Sequence, residues 1–231
     1  MIYVIGDIHG CLYSFKKMLK ELNISKEDKL IALGDVIDRG NFSFECLDLF
    51  MNTENFYMIK GNHEMFFEKY MNKELDERLW YRFGGNTSLA AIKKMNTDNV
   101  LKYYNYIQKL PIYIEEGKYF LVHNGFSLDL SIIKNNDIVD IKKTVETQYK
   151  ENDYNFLISS DIHYAPKMTF DKRIIVGHFP VQRLGESKIV YSNKCIDIDC
   201  GATYDGGKLA ALRLDDLKEF YVDIDKRDII S

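Results

Sequence analysis

At 231 residues the chain has room for one large or two small domains with a real core. A composition of 46% hydrophobic and 29% charged residues with a net charge of −4 is that of a soluble globular protein, and it argues against a general nucleic-acid binder. No apolar stretch reaches the roughly 18 residues that a membrane span needs. Strand-like residues from Ile2 leave no room for a signal peptide, and Cys11, Cys46, Cys195 and Cys200 form no CxxC pair, so reduced thiols in a cytoplasmic protein are expected.

The first third alternates strand and helix. A strand at 2–5 leads through GDIHG to a helix at 12–22, with Leu12, Phe15, Leu19 and Leu22 on one face. A strand at 30–33 leads through GDVIDRG to a helix near 43–51. A third strand at 56–60 leads through GNHE to a helix near 65–71. This βαβαβα order predicts a largely parallel sheet. Residues 75–110 read as mostly helical, with Trp80, split by the Phe83-Gly84-Gly85-Asn86 break. After Pro111 strands are expected at 112–115, 119–122 and 173–176, with a polar helical stretch at 129–154 between them. The tail at 189–191, 195–198, 208–214 and 219–222 reads as antiparallel strands making a second sheet packed on the first. The acid run at 214–219 reads as a solvated turn, and no linker or repeat divides the chain.

Five of the apolar runs end in a residue that can bind a metal: Asp7, Asp35, Asn62, His123 and His178. Ligands collect outside the carboxyl ends of strands in α/β sheets. Five separate strands would therefore deliver oxygen and nitrogen ligands to one edge. Carboxylate, amide oxygen and imidazole together suit Mn, Fe or Zn better than Ca or Mg. The set is too large for one tetrahedral zinc. It fits two metals sharing one carboxylate, about 3.5–4 Å apart, clamping the attacking and leaving oxygens of an in-line displacement.

The order GDIHG, GDVIDRG, GNHE, a lone His after a strand, and then GH resembles the phosphoprotein phosphatase family of calcineurin-like metallophosphoesterases, in its bacterial and phage serine/threonine phosphatase branch. The resemblance runs from about Tyr3 to the DIDCGATYDGGKLAALRL segment. It implies an α/β fold, a metallophosphoesterase-type sandwich of two mixed β-sheets flanked by helices (αββα), as a single domain over 1–231. It also implies that Asp7 and His9 bind one metal, that Asp35 bridges both, and that Asn62, His123 and His178 complete the second. Two divalent cations, Mn²⁺ foremost with Fe or Zn as alternatives, would be the cofactors. The wider superfamily often ends in GHxH; here Pro180 replaces the second His, as in phosphoprotein phosphatases.

The expected reaction is in-line attack on phosphorus by a hydroxide held between the metals, because metal binding brings the pKa of water down to about 7. Arg39 would bind the phosphate oxygens with its planar fork. His63 would be the general acid for the leaving oxygen, with Asp38 orienting it. Tyr204 would border the substrate cleft as in relatives. His163 reads as structural, and Trp80 as core. The family's usual second arginine is missing: Ser159-Ser160-Asp161 occupy its slot, leaving Arg39 alone or Lys167 as a substitute. The leading expectation is a serine/threonine protein phosphatase acting on a phosphorylated protein or another phosphoester. Its rivals are a symmetric bis(5'-nucleosyl)-tetraphosphatase and a module that binds phosphorylated partners without turnover. Neither nucleic acid nor membrane is an expected partner, and the oligomeric state is not legible.

Overall fold

A computed structural model describes residues 1–134, 138–158, 161–163, 169–192 and 195–229. Strand β1 (Ile2–Ile5) is followed by α1 (Leu12–Leu22), β2 (Lys29–Ala32), α2 (Ser43–Asn52), β3 (Phe56–Met58) and α3 (Asn62–Met71). The three strands pair in parallel, β1 with β2 and β2 with β3. Val4 and Ile5 of β1 and Leu30, Ile31 and Ala32 of β2 are apolar and buried because both faces of these strands are covered, while β3 at the sheet edge exposes Tyr57. Tyr3, Ile5, Leu30 and Ala32 face the helical layer, while Val4 and Ile31 face the other way. This period of two follows from the pleat.

Short helices α4 (Glu77–Trp80) and α5 (Asn86–Ile92) flank a wide turn at Tyr81–Gly85, and α6 (Thr97–Gln108) follows. The predicted break sits inside this turn, where Gly84 has φ +97°. Strands β4 (Tyr113–Glu116) and β5 (Tyr119–Val122) form a hairpin.

Residues 129–154 depart from expectation. Strand β6 (Ile138–Val139) comes first, and the helix α7 (Ile141–Glu151) starts only after Asp140, whose side chain accepts from the Lys143 amide. Helix α8 (Asp153–Ile158) completes the stretch. Strand β7 (Thr169–Phe170) pairs with β6, so this region carries a small sheet of its own.

Strands β8 (Arg173–Val176), β9 (Val190–Tyr191), β10 (Cys195–Asp197), β11 (Lys208–Arg213) and β12 (Lys218–Asp223) follow. The tail does not make a sheet by itself. β11 pairs antiparallel with β1, and β12 with β11, giving the order β12-β11-β1-β2-β3. β10 instead lies parallel to β8 in the order β4-β5-β8-β10-β9. The reason is that β1 is buried on both faces and needs a hydrogen-bonding partner on each edge; β2 supplies one and β11 the other.

The two mixed sheets pack face to face through Val4, Ile31, Leu121, Ile175, Ile196 and Leu212. Helix α1 covers β11 and β12, and α7 reaches β4 through Tyr113, whose hydroxyl donates to Glu146. The expected αββα sandwich is therefore the observed architecture. Among the described residues, no helix is long and apolar enough to cross a membrane. Also among them, no disulfide joins the four cysteines, all of which are buried.

Candidate metal centre and phosphate site

The site lies where parallel strands end together. Asp7 follows β1, Asp35 follows β2 and Asn62 follows β3 in one sheet; His123 follows β5 and His178 follows β8 in the other. Helix α3 begins at Asn62, three residues earlier than expected, so Asn62 and His63 sit on its first turn. Glu64 causes this early start. Its carboxylate accepts from the Gly61 amide at 2.9 Å, as a capping box requires.

Asp35 stands at the centre. His9 Nε2 and His63 Nε2 each lie 3.8 Å from its Oδ2, while His123 Nε2 lies 3.5 Å from its Oδ1. Two sets of potential ligands thus share it: His9, Asp35 and His63, and Asp35, His123 and His178. Asp7 Oδ2 is 3.8 Å from His9 Nε2, and Asp7 also accepts from the His178 amide. Asn62 Oδ1 lies 2.9 Å from His123 Nε2 and 2.7 Å from His178 Nδ1. Gly61 makes this approach possible: a Cβ there would fall 2.3 Å from Asp35 Oδ1. His163 lies apart from both sets, stacked on Phe179 and 3.6 Å from Asp197 Oδ2.

Tautomers follow from the backbone. A carbonyl only accepts, so His9 Nδ1 donates to Ile37 O at 3.0 Å and His123 Nδ1 donates to Leu33 O at 2.7 Å. Each neutral ring then directs an Nε2 lone pair inward. His123 Nε2 consequently faces two oxygen acceptors, Asn62 Oδ1 and Asp35 Oδ1, with the nitrogen His178 Nδ1 3.1 Å away. Burial pushes the pKa of His9, His123 and His178 down, favouring the neutral, ligating ring. Burial, then the charges of Asp199 and Asp35, push the Asp7 carboxyl well up. Burial also opposes the Asp35 charge, but the imidazoles of His123, His63, His9 and His178, to the extent they are protonated, outweigh it and hold that carboxyl below the usual range. Such converging acceptors fit divalent cations, which take neutral imidazoles and ionised carboxylates together.

The loop after β2 is strained and heavily held. Among the described residues, eight non-glycine residues have a left-handed backbone, and five of them are His9, Asp35, Asp38, Arg39 and His178. The Glu64 carboxylate accepts from the amides of Asp35 and Val36. Ser43 Oγ accepts from the Asp38 amide, Gly84 O from the Arg39 amide and His9 O from the Gly40 amide. Burial and the nearby Asp35 charge push the Glu64 carboxyl up to about 7, while the backbone amides pull it down.

His63 Nδ1 and Asp38 Oδ2 are 2.7 Å apart, and both residues are buried. The Arg39 guanidinium donates to His63 Nε2 at 3.3 Å, and its Cζ lies 5.6 Å from the Tyr204 ring. The structure thus brings Asp7, His9, Asp35, Asp38, Arg39, Asn62, His63, His123, His178 and Tyr204 to one place. Ser159, Ser160 and Lys167, the predicted arginine slot and its substitute, lie outside the described residues. No cysteine joins the site as a nucleophile; burial pushes the Cys11 thiol up to about 12.

Sequence reasoning missed two residues that build the site. Glu64 was legible as the third residue after Gly61, a capping-box position. Trp80 carried no such signal, yet its Nε1 donates to Asp38 Oδ2 at 2.6 Å.

Residues 1–221 match the calcineurin-like phosphoesterase family. The chain belongs to that family. Its members are metallophosphoesterases, so the protein is a hydrolase of phosphate esters. It is 25% identical to the asymmetrical bis(5'-nucleosyl)-tetraphosphatase PrpE of Halalkalibacterium halodurans, over 93% of this chain and 90% of that one. It is 33% identical to serine/threonine-protein phosphatase 2 of Salmonella typhimurium, over 55% of this chain and 60% of that one. A solved structure provisionally described as a diadenosine tetraphosphatase has a TM-score of 0.63 at 19% identity, covering 96% of this chain and 92% of its own. At that identity the likeness is one of fold.

Proposed function

We propose that this calcineurin-like phosphoesterase binds two divalent cations, Mn²⁺ foremost, through Asp7, His9, Asp35, Asn62, His123 and His178, and hydrolyses a phosphoanhydride of the bis(5'-nucleosyl)-tetraphosphate class. The observation that carries the metal reading is the convergence of His123 Nε2, a buried lone pair, with Asn62 Oδ1, Asp35 Oδ1 and His178 Nδ1. When bound, the cation pair supplies Lewis acidity and a water acidified toward neutral pH.

The chain's own residues supply the rest. Arg39 is within reach of both Tyr204 and His63, so its fork can turn onto the phosphate oxygens and release His63 Nε2. Freed of the guanidinium, Nε2 can take up a proton from solvent and pass it to a leaving oxygen basic enough to need one as the P–O bond breaks, while Asp38 accepts from Nδ1 and stabilises the ring's charge. Tyr204 also borders a depression of about 500 Å³ with Thr203, Asp205, Gly207 and Ile229, room for the group that the phosphate carries.

The substrate class rests on relatives that align along nearly their whole length and bear the asymmetrical tetraphosphatase name. That name favours asymmetric cleavage over the symmetric alternative. A second reading, phosphoserine/phosphothreonine hydrolysis, draws on the Salmonella relative, whose match spans 55% of the chain. Product analysis decides between them. Diadenosine tetraphosphate with Mn²⁺ should give ATP and AMP in equal amounts. Two ADP would indicate symmetric cleavage, and preferential phosphate release from a phosphopeptide would overturn the dinucleotide reading in favour of the second.

A further inference from the structure

The reaction as outlined leaves the only tryptophan of the chain unused. Trp80 is fully buried, and the same Asp38 Oδ2 accepts both its Nε1–H and the His63 Nδ1–H. An indole donates and cannot accept, so this contact has one polarity. Asp38 Oδ1 has no hydrogen-bond partner among the described residues, so the bonding of this carboxylate runs through Oδ2. Without the indole, one hydrogen bond to His63 would have to fix the carboxylate's rotation alone.

The surroundings hold the indole for this contact. Tyr70 and Phe67 of α3 pack on Trp80, with ring centroids 5.1 and 5.9 Å away. The first turn of the same helix carries His63. A Cβ on Gly85 would fall 2.4 Å from Trp80 Cδ1, so only glycine lets the turn close over the ring. Gly84, in the left-handed region, turns its carbonyl to the Arg39 amide at 2.8 Å. The end of α4 thus bonds the Asp38 side chain, and the turn that follows it bonds the Arg39 backbone. Those two residues have φ of 71° and 65°, a conformation that needs outside support.

We infer that Trp80 is a positioning residue for leaving-group protonation: its indole N–H fixes the Asp38 carboxylate, which keeps His63 Nε2 aimed at the leaving oxygen. The inference rests on the reading of His63 as general acid. It has a signature that a merely structural role lacks. A leaving group of low pKa departs without a proton, whereas an alkyl oxygen needs one. Loss of alignment therefore costs more as the leaving group becomes poorer, while a general packing defect slows all substrates alike.

The test compares wild type, Trp80→Phe and His63→Asn, all full-length and metal-loaded, on p-nitrophenyl phosphate and an alkyl phosphate. Trp80→Phe should lose roughly 10- to 100-fold in kcat on the alkyl ester and less than about threefold on the aryl ester, with KM unchanged. His63→Asn should show the same pattern with a larger loss. Equal losses on both esters in Trp80→Phe, beside a leaving-group dependence in His63→Asn, would overturn the inference alone. No leaving-group dependence in His63→Asn would overturn the acid reading, and the inference with it. A second measurement needs neither turnover nor a folded Trp80→Phe. In the Zn²⁺-loaded protein the single indole N–H resonance should exchange slowly with water and move upfield in Asp38→Ala. A resonance that Asp38→Ala leaves in place overturns the proposal.

Discussion

His63 touches Asp38 on one side and Arg39 on the other, and each contact has a different chemical consequence. The Asp38 contact fixes the Nδ1–H tautomer, and under the proposed function the Arg39 contact would be lost as the guanidinium turned to phosphate. Replacing His63 by Asn would remove the proposed proton donor while keeping a polar side chain of smaller size. Steady-state kinetics on an alkyl phosphate should show kcat lower by about 10²–10⁴-fold with little change in KM. A KM rise at unchanged kcat would instead make His63 a binding residue. These residues were legible in the sequence because GDVIDRG and GNHE keep them adjacent to the ligands. Trp80 was not, because nothing in a lone tryptophan before two glycines says which carboxylate its N–H will meet.

Helix α1 illustrates a different limit at the scale of elements. Its periodic apolar face was visible, and the observed bounds agree with the expected ones. Its N-cap residue, Cys11, makes no side-chain cap. The cap comes from Asp228, which accepts from the amides of Tyr13 and Ser14 at 2.9 and 2.8 Å and from Ser14 Oγ at 2.7 Å. Asp228 is buried and lies beyond residues 1–221, which match the family. Asp228→Ala leaves buried amides unsatisfied at a helix start and should cost about 1.5–3 kcal/mol. A urea midpoint unchanged from wild type would show that water replaces the cap. Helix α3 shows the complementary case, a local cap from Glu64 that places Asn62 in the first turn. Within 129–154 the expected helix is present as α7, but only from Ile141; polarity that suits a helix surface hid the β6–β7 pairing across residues far apart in sequence.

For the whole molecule, the candidate metal centre is a junction between two sheets, contributed by β1, β2 and β3 on one side and β5 and β8 on the other. Cations bound there would link the sheets and relieve the crowding of buried carboxylates. A divalent cation at about 100-fold its Kd adds about 2.7 kcal/mol of stability. For a chain of this length that corresponds to a Tm rise of roughly 5–10 °C. Mn²⁺ or Zn²⁺ should produce this shift, EDTA should reverse it, and Asp35→Asn should abolish it. A wild-type Tm indifferent to cation would sink the two-metal reading.

The sequence by itself determined the phosphoesterase family and pointed to the candidate donor set, because strand ends followed by Asp, Asn or His in a fixed order are local patterns. It also determined the parallel start of the first sheet, because βαβ units are contiguous. Only the tertiary structure decided that β11 rather than another strand closes the far edge of β1, and that β10 joins the opposite sheet. Those pairings join segments about 200 residues apart for β11 and about 20 for β10, with apolar runs that could pair with several partners. The Trp80–Asp38 and Asp228–Ser14 contacts belong to the same class. Each satisfies a polar group that burial would otherwise leave costly, and burial is a property of the folded whole.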